Sequence, residues 1–177
     1  EVVSLSKNTW EQGYKVIART NDLIQHIEEE EADFFTRGTA EKDVLLGEAY
    51  ALRALMHFDL LRLFAPAPVV DRSGSYIPYV KEYPSLVNPP ASTEKVLEEI
   101  LKDLTMSKQL LAAYDTVPAN RGFALSATNR FSNTSVPEWG KFYAYRGTRL
   151  NYYVVTALLS RVYMYAGDPK NALEQAE

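Results

Sequence analysis

Residues 48–70, EAYALRALMHFDLLRLFAPAPVV, read as a long apolar helix that runs into a proline stop and then a short strand-like tail. Apolar side chains recur at Leu45, Ala49, Leu52, Met56, Leu60 and Leu63, the three-and-four spacing of a helix stripe. Leu55, Phe58, Leu61 and Phe64 widen the stripe over most of the circumference, which marks a helix packed on several sides. The spacing predicts a helix over 40–64 that closes before Pro66, because proline lacks the N–H a further turn needs. Arg53 and Arg62 interrupt this apolar surface. A guanidinium there is costly unless it is paired or its head reaches water. Paired structural arginines are the simpler reading, and ligand-binding ones the alternative.

Upstream, residues 7–31 carry Trp10, Tyr14, Ile17 and Ile24 on one helix face, and Asn21 shares it. A buried amide must find hydrogen-bond partners, so Asn21 reads as a structural tie to a neighbouring helix, with ligand contact as the alternative. Glu28 to Glu31 crowd carboxylates at the helix C-terminus, where the dipole disfavours them. A solvated, fraying end explains them better than a calcium site, since no Asp-x-Asp-x-Asp-Gly loop is present.

Downstream, six of the nine prolines fall between Pro66 and Pro90, so an ordered loop or extended segment is expected there. A third helix follows Pro90 with Ser92 or Thr93 as N-cap, burying Leu97, Ile100, Leu101, Leu104 and Leu111. A fourth covers 149–166 and ends at Gly167, suited to a left-handed C-terminal turn. Asp168-Pro169 then opens a fifth as N-cap and first-turn proline. So short a connection implies antiparallel neighbours. Leu159, Tyr163, Gly167 and Ala172 stand where a tetratricopeptide-type hairpin places its packing residues and turn. Helices two and four are expected to pack together near the centre. Between helices three and four, residues 115–148 are poor in aliphatic periodicity and rich in turn residues, the mark of a functional or disordered loop.

The expected architecture is all-α: tetratricopeptide-like antiparallel hairpins with long connecting loops, residues 1–177 forming a single helical domain. The length suffices to bury a core. A net charge of −4 without a basic stripe argues against nucleic acid. The absence of cysteine excludes disulfides and thiolate metal sites. No apolar run reaches the roughly 18 residues that mark a membrane span. The chain begins at Glu1 without a charged-then-apolar leader and stops at Glu177 inside a helical pattern, so an excised piece of a longer protein is expected.

The central stretch resembles the segment that identifies SusD-like (SusD/RagB) outer-membrane nutrient-binding proteins. Leu52-Arg53-Ala54, His57-Phe58, Leu60-Leu61-Arg62-Leu63-Phe64 and Pro68-Val69-Val70 stand in the family's places. Arg149-Leu150-Asn151-Tyr152-Tyr153, leading into Ala157 to Asp168, is similar to its later Arg-x-x-x-x-Ala and Leu-Leu-Ala-Arg-Val-Tyr-Leu-Tyr-x-Gly-Asp run. Trp10, Tyr14, Ile17, Asn21 and Ile24 resemble its opening helix, and Tyr76 to Val80 its Ile-Pro-Tyr-Val piece. Residues 115–148 look like an insertion against that pattern. The resemblance implies non-catalytic capture of a glycan, less often a peptide, and its delivery to a TonB-dependent SusC-like outer-membrane transporter. It further implies an outward-facing location, with membrane contact only through a lipid anchor absent from this chain. Ligand contacts would come largely from loops outside the helical scaffold.

No catalytic constellation stands out. His26 and His57 are the only histidines, and neither a His-Glu-x-x-His helix nor a Gly-x-Ser-x-Gly elbow is present. Glu48 and Asp59 share a helix side but lie roughly 16 Å apart at the helical rise, too far for either glycosidase geometry. No metal site and no cofactor are expected. What remains is aromatic supply, twelve tyrosines and two tryptophans. Aromatic faces stack on the C–H-rich faces of sugars, and a Tyr hydroxyl can bond a sugar hydroxyl. Trp10, Tyr14, Tyr50 and Tyr163 fall at core spacing. The loop aromatics Tyr76, Tyr79, Tyr83, Trp139, Tyr143 and Tyr145 are the binding candidates. Asn133-Thr134-Ser135 matches a glycosylation acceptor and is given no role. A helical-repeat scaffold whose grooves hold a protein segment is the competing reading.

Overall fold

The computed structural model describes residues 2–126 and 140–177. Its helices are α1 (Val2–Glu29), α2 (Thr39–Phe64), α3 (Thr93–Asp115), α4 (Pro118–Leu125), α5 (Tyr152–Ala166) and α6 (Pro169–Ala176). Two short strands, β1 (Ser75–Ile77) and β2 (Ala91–Ser92), pair antiparallel in the proline-rich stretch. Contacts fix the directions. Trp10 meets Phe64 while Tyr50 bonds Glu28, so α1 and α2 are antiparallel. Gly47 meets Ser107 and Arg53 meets Asp103, so α3 reverses again. The α5–α6 hairpin turns at Gly167, whose φ of 80° is left-handed. There Asp168 N bonds Tyr163 O at 2.9 Å, closing a Schellman turn. The fold is all-α, built of tetratricopeptide-like antiparallel hairpins.

Local chemistry explains the boundaries. Ser92 Oγ accepts the Lys95 N–H at 3.2 Å and opens α3. Asn151 Oδ1 accepts from Tyr153 and Val154, each at 3.0 Å, so α5 starts later than residue 149. The crowded acidic end of α1 is relieved by Lys42, whose ammonium donates to the carbonyls of Glu28 and Glu30. Pro118 starts α4 inside the stretch expected to be loop.

Two expectations are corrected. The centre is α3, which packs between α2 and α5, so helices two and four of the sequence reading barely meet. Within α2 the fully buried positions are Val44, Ala51, Ala54, His57, Phe58 and Leu61, while Leu52 and Met56 are half-buried and Leu63 is 64% exposed. Small residues face α3 because the helices come close. An ideal Cβ on Gly47 would lie 2.7 Å from Leu111 Cγ. Gly47→Ala is therefore expected to destabilise by about 1 kcal/mol, overpacking outweighing the gain in helix propensity. A melting temperature at or above wild type would show that Leu111 can move aside.

Candidate functional site

Residues 78–83 lie along α1 and α2 and are held through their main chain. Tyr14, Asn21 and Gln25 share one face of α1, by their seven- and four-residue spacing. The Tyr14 hydroxyl donates to Pro78 O at 2.9 Å, and Asn21 Nδ2 donates to Val80 O at 3.0 Å. Gln25 takes both polar groups of Tyr83: Nε2 donates to its carbonyl at 3.0 Å and Oε1 accepts its N–H at 2.6 Å. From α2, His57 Nε2 accepts the Val80 N–H at 3.0 Å, and Nδ1 lies 2.9 Å from the Arg53 carbonyl. An amide only donates and a carbonyl only accepts, so the ring is the neutral tautomer with its proton on Nδ1. Burial agrees, pushing His57 down to a pKa of about 3.

Arg53 ties this segment to α3. Its Nε and Nη2 donate to the Asp103 carboxylate at 2.6 and 2.8 Å, a bidentate pair, and Nη1 reaches Asn21 Oδ1 at 3.1 Å. Asn21 and Arg53 are both buried. The Tyr79 hydroxyl donates to Asp103 Oδ2 at 2.5 Å, and its ring stacks on His57 with centroids 3.9 Å apart. Burial, then the neighbouring carboxylate, holds the Tyr79 hydroxyl protonated well above its ordinary pKa.

A second buried cluster fixes residues 140–151. Arg146 Nε and Nη2 clasp Asp115 at 2.8 and 2.7 Å, and Nη1 donates to Glu48. Arg149 Nη2 bonds Glu48 Oε2 at 2.6 Å. Asp115 also accepts from the Tyr143 hydroxyl and, at 2.8 Å, from Tyr152 N–H. Asp115 thus accepts four internal hydrogen bonds, about the full capacity of a carboxylate, and serves to position the chain. Nothing in the aromatic content of the sequence pointed to Asp103 or Asp115. The available signal was phase: both continue the buried face of α3, with Ile100, Leu104 and Leu111.

The aromatic candidates are not brought together. Tyr79 spends its ring and hydroxyl inside the fold as above. Tyr143 is a correction: it is fully buried, with its hydroxyl on Asp115, and cannot offer a face to a ligand. Tyr76 is half-buried, donating to Asp71 Oδ2 at 2.7 Å. Tyr145 is 48% exposed, on left-handed backbone at φ 57°, and Tyr83 is 45% exposed. Trp139 and Asn133-Thr134-Ser135 lie outside the described residues. Among the described residues no grouping of three or more His, Asp and Glu could hold a metal ion. No helix among them is long and apolar enough to cross a membrane.

Residues 3–129 match the SusD-like family model described as "Starch-binding associating with outer membrane". No curated protein matches in sequence. Among solved structures, a SusD-like carbohydrate binding protein from Bacteroides vulgatus superposes with a TM-score of 0.71 at 19% identity, covering 97% of this chain and 30% of that one. A SusD superfamily protein from Bacteroides thetaiotaomicron gives 0.67 at 24% identity over 94% of this chain and 30% of that one. A laminarin binding SusD-like protein gives 0.61 at 20% identity over 94% and 28%. The chain thus spans less than a third of the length of each of these structures.

Proposed function

Since this chain belongs to the SusD-like family, we propose that it forms the helical scaffold of a non-catalytic glycan-capture protein at the outer membrane. In this reading the protein holds an oligosaccharide or polysaccharide on the outward face, anchored by lipid, and passes it to a TonB-dependent SusC-type transporter. The observation that carries it is the family match over 3–129, supported by a fold shared with proteins described as binding carbohydrate and laminarin. Among the loop aromatics, Tyr83 and Tyr145 are the ones exposed enough to meet a sugar ring.

Calorimetry with maltoheptaose and laminarihexaose is expected to show saturable binding, and chromatography after long incubation should return both oligosaccharides uncut. Shortened products would point to an enzyme. Saturable binding of an unstructured peptide, with neither oligosaccharide bound, would favour a peptide-binding role.

A further inference from the structure

Above α1, next to the clamped segment, lies a cavity of about 320 Å³. Tyr14 and Ile17 line it from α1, and Glu82, Tyr83, Ser85 and Asn88, residues that carry a carboxylate, an aromatic ring, a hydroxyl and an amide, line it from the loop. Its volume falls at the lower end of the roughly 300–1,000 Å³ of small-molecule sites. That combination of an apolar wall and a few converging polar groups suits one sugar ring: C–H bonds against the aromatic face, hydroxyls against the polar groups.

We propose that this cavity is a glycan subsite in which one neutral pyranose ring stacks on Tyr83 and hydrogen-bonds Glu82 and Asn88. The proposal rests on the glycan-binding reading above and names where one ring sits. Three observations carry it. First, Tyr83 is a half-exposed aromatic on a backbone gripped on both polar groups by Gln25. A platform fixed before binding loses less freedom when it binds. Second, Asn88 retains donor capacity. Its Oδ1 accepts from Ser85 Oγ at 2.9 Å, while Nδ2 meets Ser85 O only at 3.5 Å, a weak bond that a ligand hydroxyl can replace. Third, Glu82 is exposed at the rim. An ionised carboxylate accepts from paired sugar hydroxyls and repels anionic sugars, which sets the class as neutral.

The test is calorimetry on the protein with maltoheptaose and laminarihexaose, comparing wild type with Tyr83→Ala, Tyr83→Phe and Glu82→Gln. For whichever oligosaccharide the wild type binds, Tyr83→Ala should weaken affinity about tenfold. Tyr83→Phe should stay within about twofold, because stacking needs the ring and not the hydroxyl. Glu82→Gln should weaken binding severalfold. The melting temperature of Tyr83→Ala should match wild type, since Gln25 holds main-chain atoms. If Tyr83→Ala melts lower, Glu82→Gln decides, its side chain being exposed: weaker binding supports the subsite and unchanged binding overturns it. Equal affinity of wild type and a well-folded Tyr83→Ala overturns the subsite and leaves the glycan reading standing. Failure of the wild type to bind either oligosaccharide overturns both.

Discussion

Replacing Asp115 by alanine is expected to destabilise the protein by about 3–5 kcal/mol, because it leaves a buried guanidinium without its counter-charge. Arg146 and Asp115 both have side chains at 0% exposure. The carboxylate also satisfies the Tyr143 hydroxyl and the first N–H of α5. Its loss therefore removes an acceptor that two further elements use. Glu48 offers Arg146 only partial compensation, since it is shared with Arg149. Urea unfolding measures the loss directly. A double variant, Asp115→Ala with Arg146→Met, should recover much of it, since an apolar pair of similar volume often replaces a buried ion pair at little cost. An Asp115→Ala midpoint within error of wild type would mean that residues 140–151 are anchored by something else.

The second large effect is with acid. Free histidine titrates near 6.5, whereas burial holds His57 down to about 3 against the smaller upward pull of its bond to the Arg53 carbonyl. Tyr14 from α1, Tyr79 from the clamped segment and Arg53 on its own helix face the ring, and Asp103 of α3 lies behind Tyr79 and Arg53. Between the two pKa values the unfolded chain carries a proton that the native one refuses. Stability is therefore intact above 6.5 and falls as pH drops through the window toward 3, by about 1.4 kcal/mol per unit and on the order of 4–5 kcal/mol in all.

Glu99 adds a separate loss at lower pH. Burial alone would raise it, yet Lys81, Lys102 and Lys95 hold it down to about 2, so its contribution is lost between 4.5 and 2. His26 acts in the opposite sense. It is exposed, its pKa is raised chiefly by the Asp22 carbonyl, and its small contribution is lost as pH rises. The window from 6.5 to 4.5 thus isolates His57. Urea unfolding at pH 7 and pH 5 should show wild type losing about 2 kcal/mol and His57→Gln losing far less. Parallel curves for the two proteins would mean that His57 takes up its proton in the folded state.

Local signals carried the helical reading far. The proline stop after Phe64, the Ser92 cap and the Gly167-Asp168-Pro169 turn are chemical instructions confined to a few residues, and the structure obeys each. What a linear pattern cannot give is distance across the fold. Arg53 announces that it needs a partner, but Asp103 lies fifty residues away and only the antiparallel packing of α3 brings it near. Leu52 and Ala51 look equally buried in a helix apolar on most sides. The close approach of α3 at Gly47 decides that the small residues face inward. Tyr143 and Tyr145 are alike as loop aromatics, and only the fold of the loop sends one inward and the other to solvent. The short α4 offered too few periodic residues to register as a helix at all.

The clamp on residues 78–83 has a further consequence for how such a scaffold can diversify. Its bonds end on Pro78 O, Val80 N, Val80 O and both polar groups of Tyr83, atoms that survive most substitutions of the residues bearing them. Tyr79 is the exception, because its ring and hydroxyl are themselves part of the seat. At positions 82 and 83 the side chains are cargo on a fixed rail. They can be exchanged for others that suit a different ligand, while Tyr14, Asn21, Gln25 and His57 go on gripping the same backbone. Retention of the grip and turnover of the cargo can then proceed independently, so a lineage can change what it recognises without rebuilding the frame that presents it.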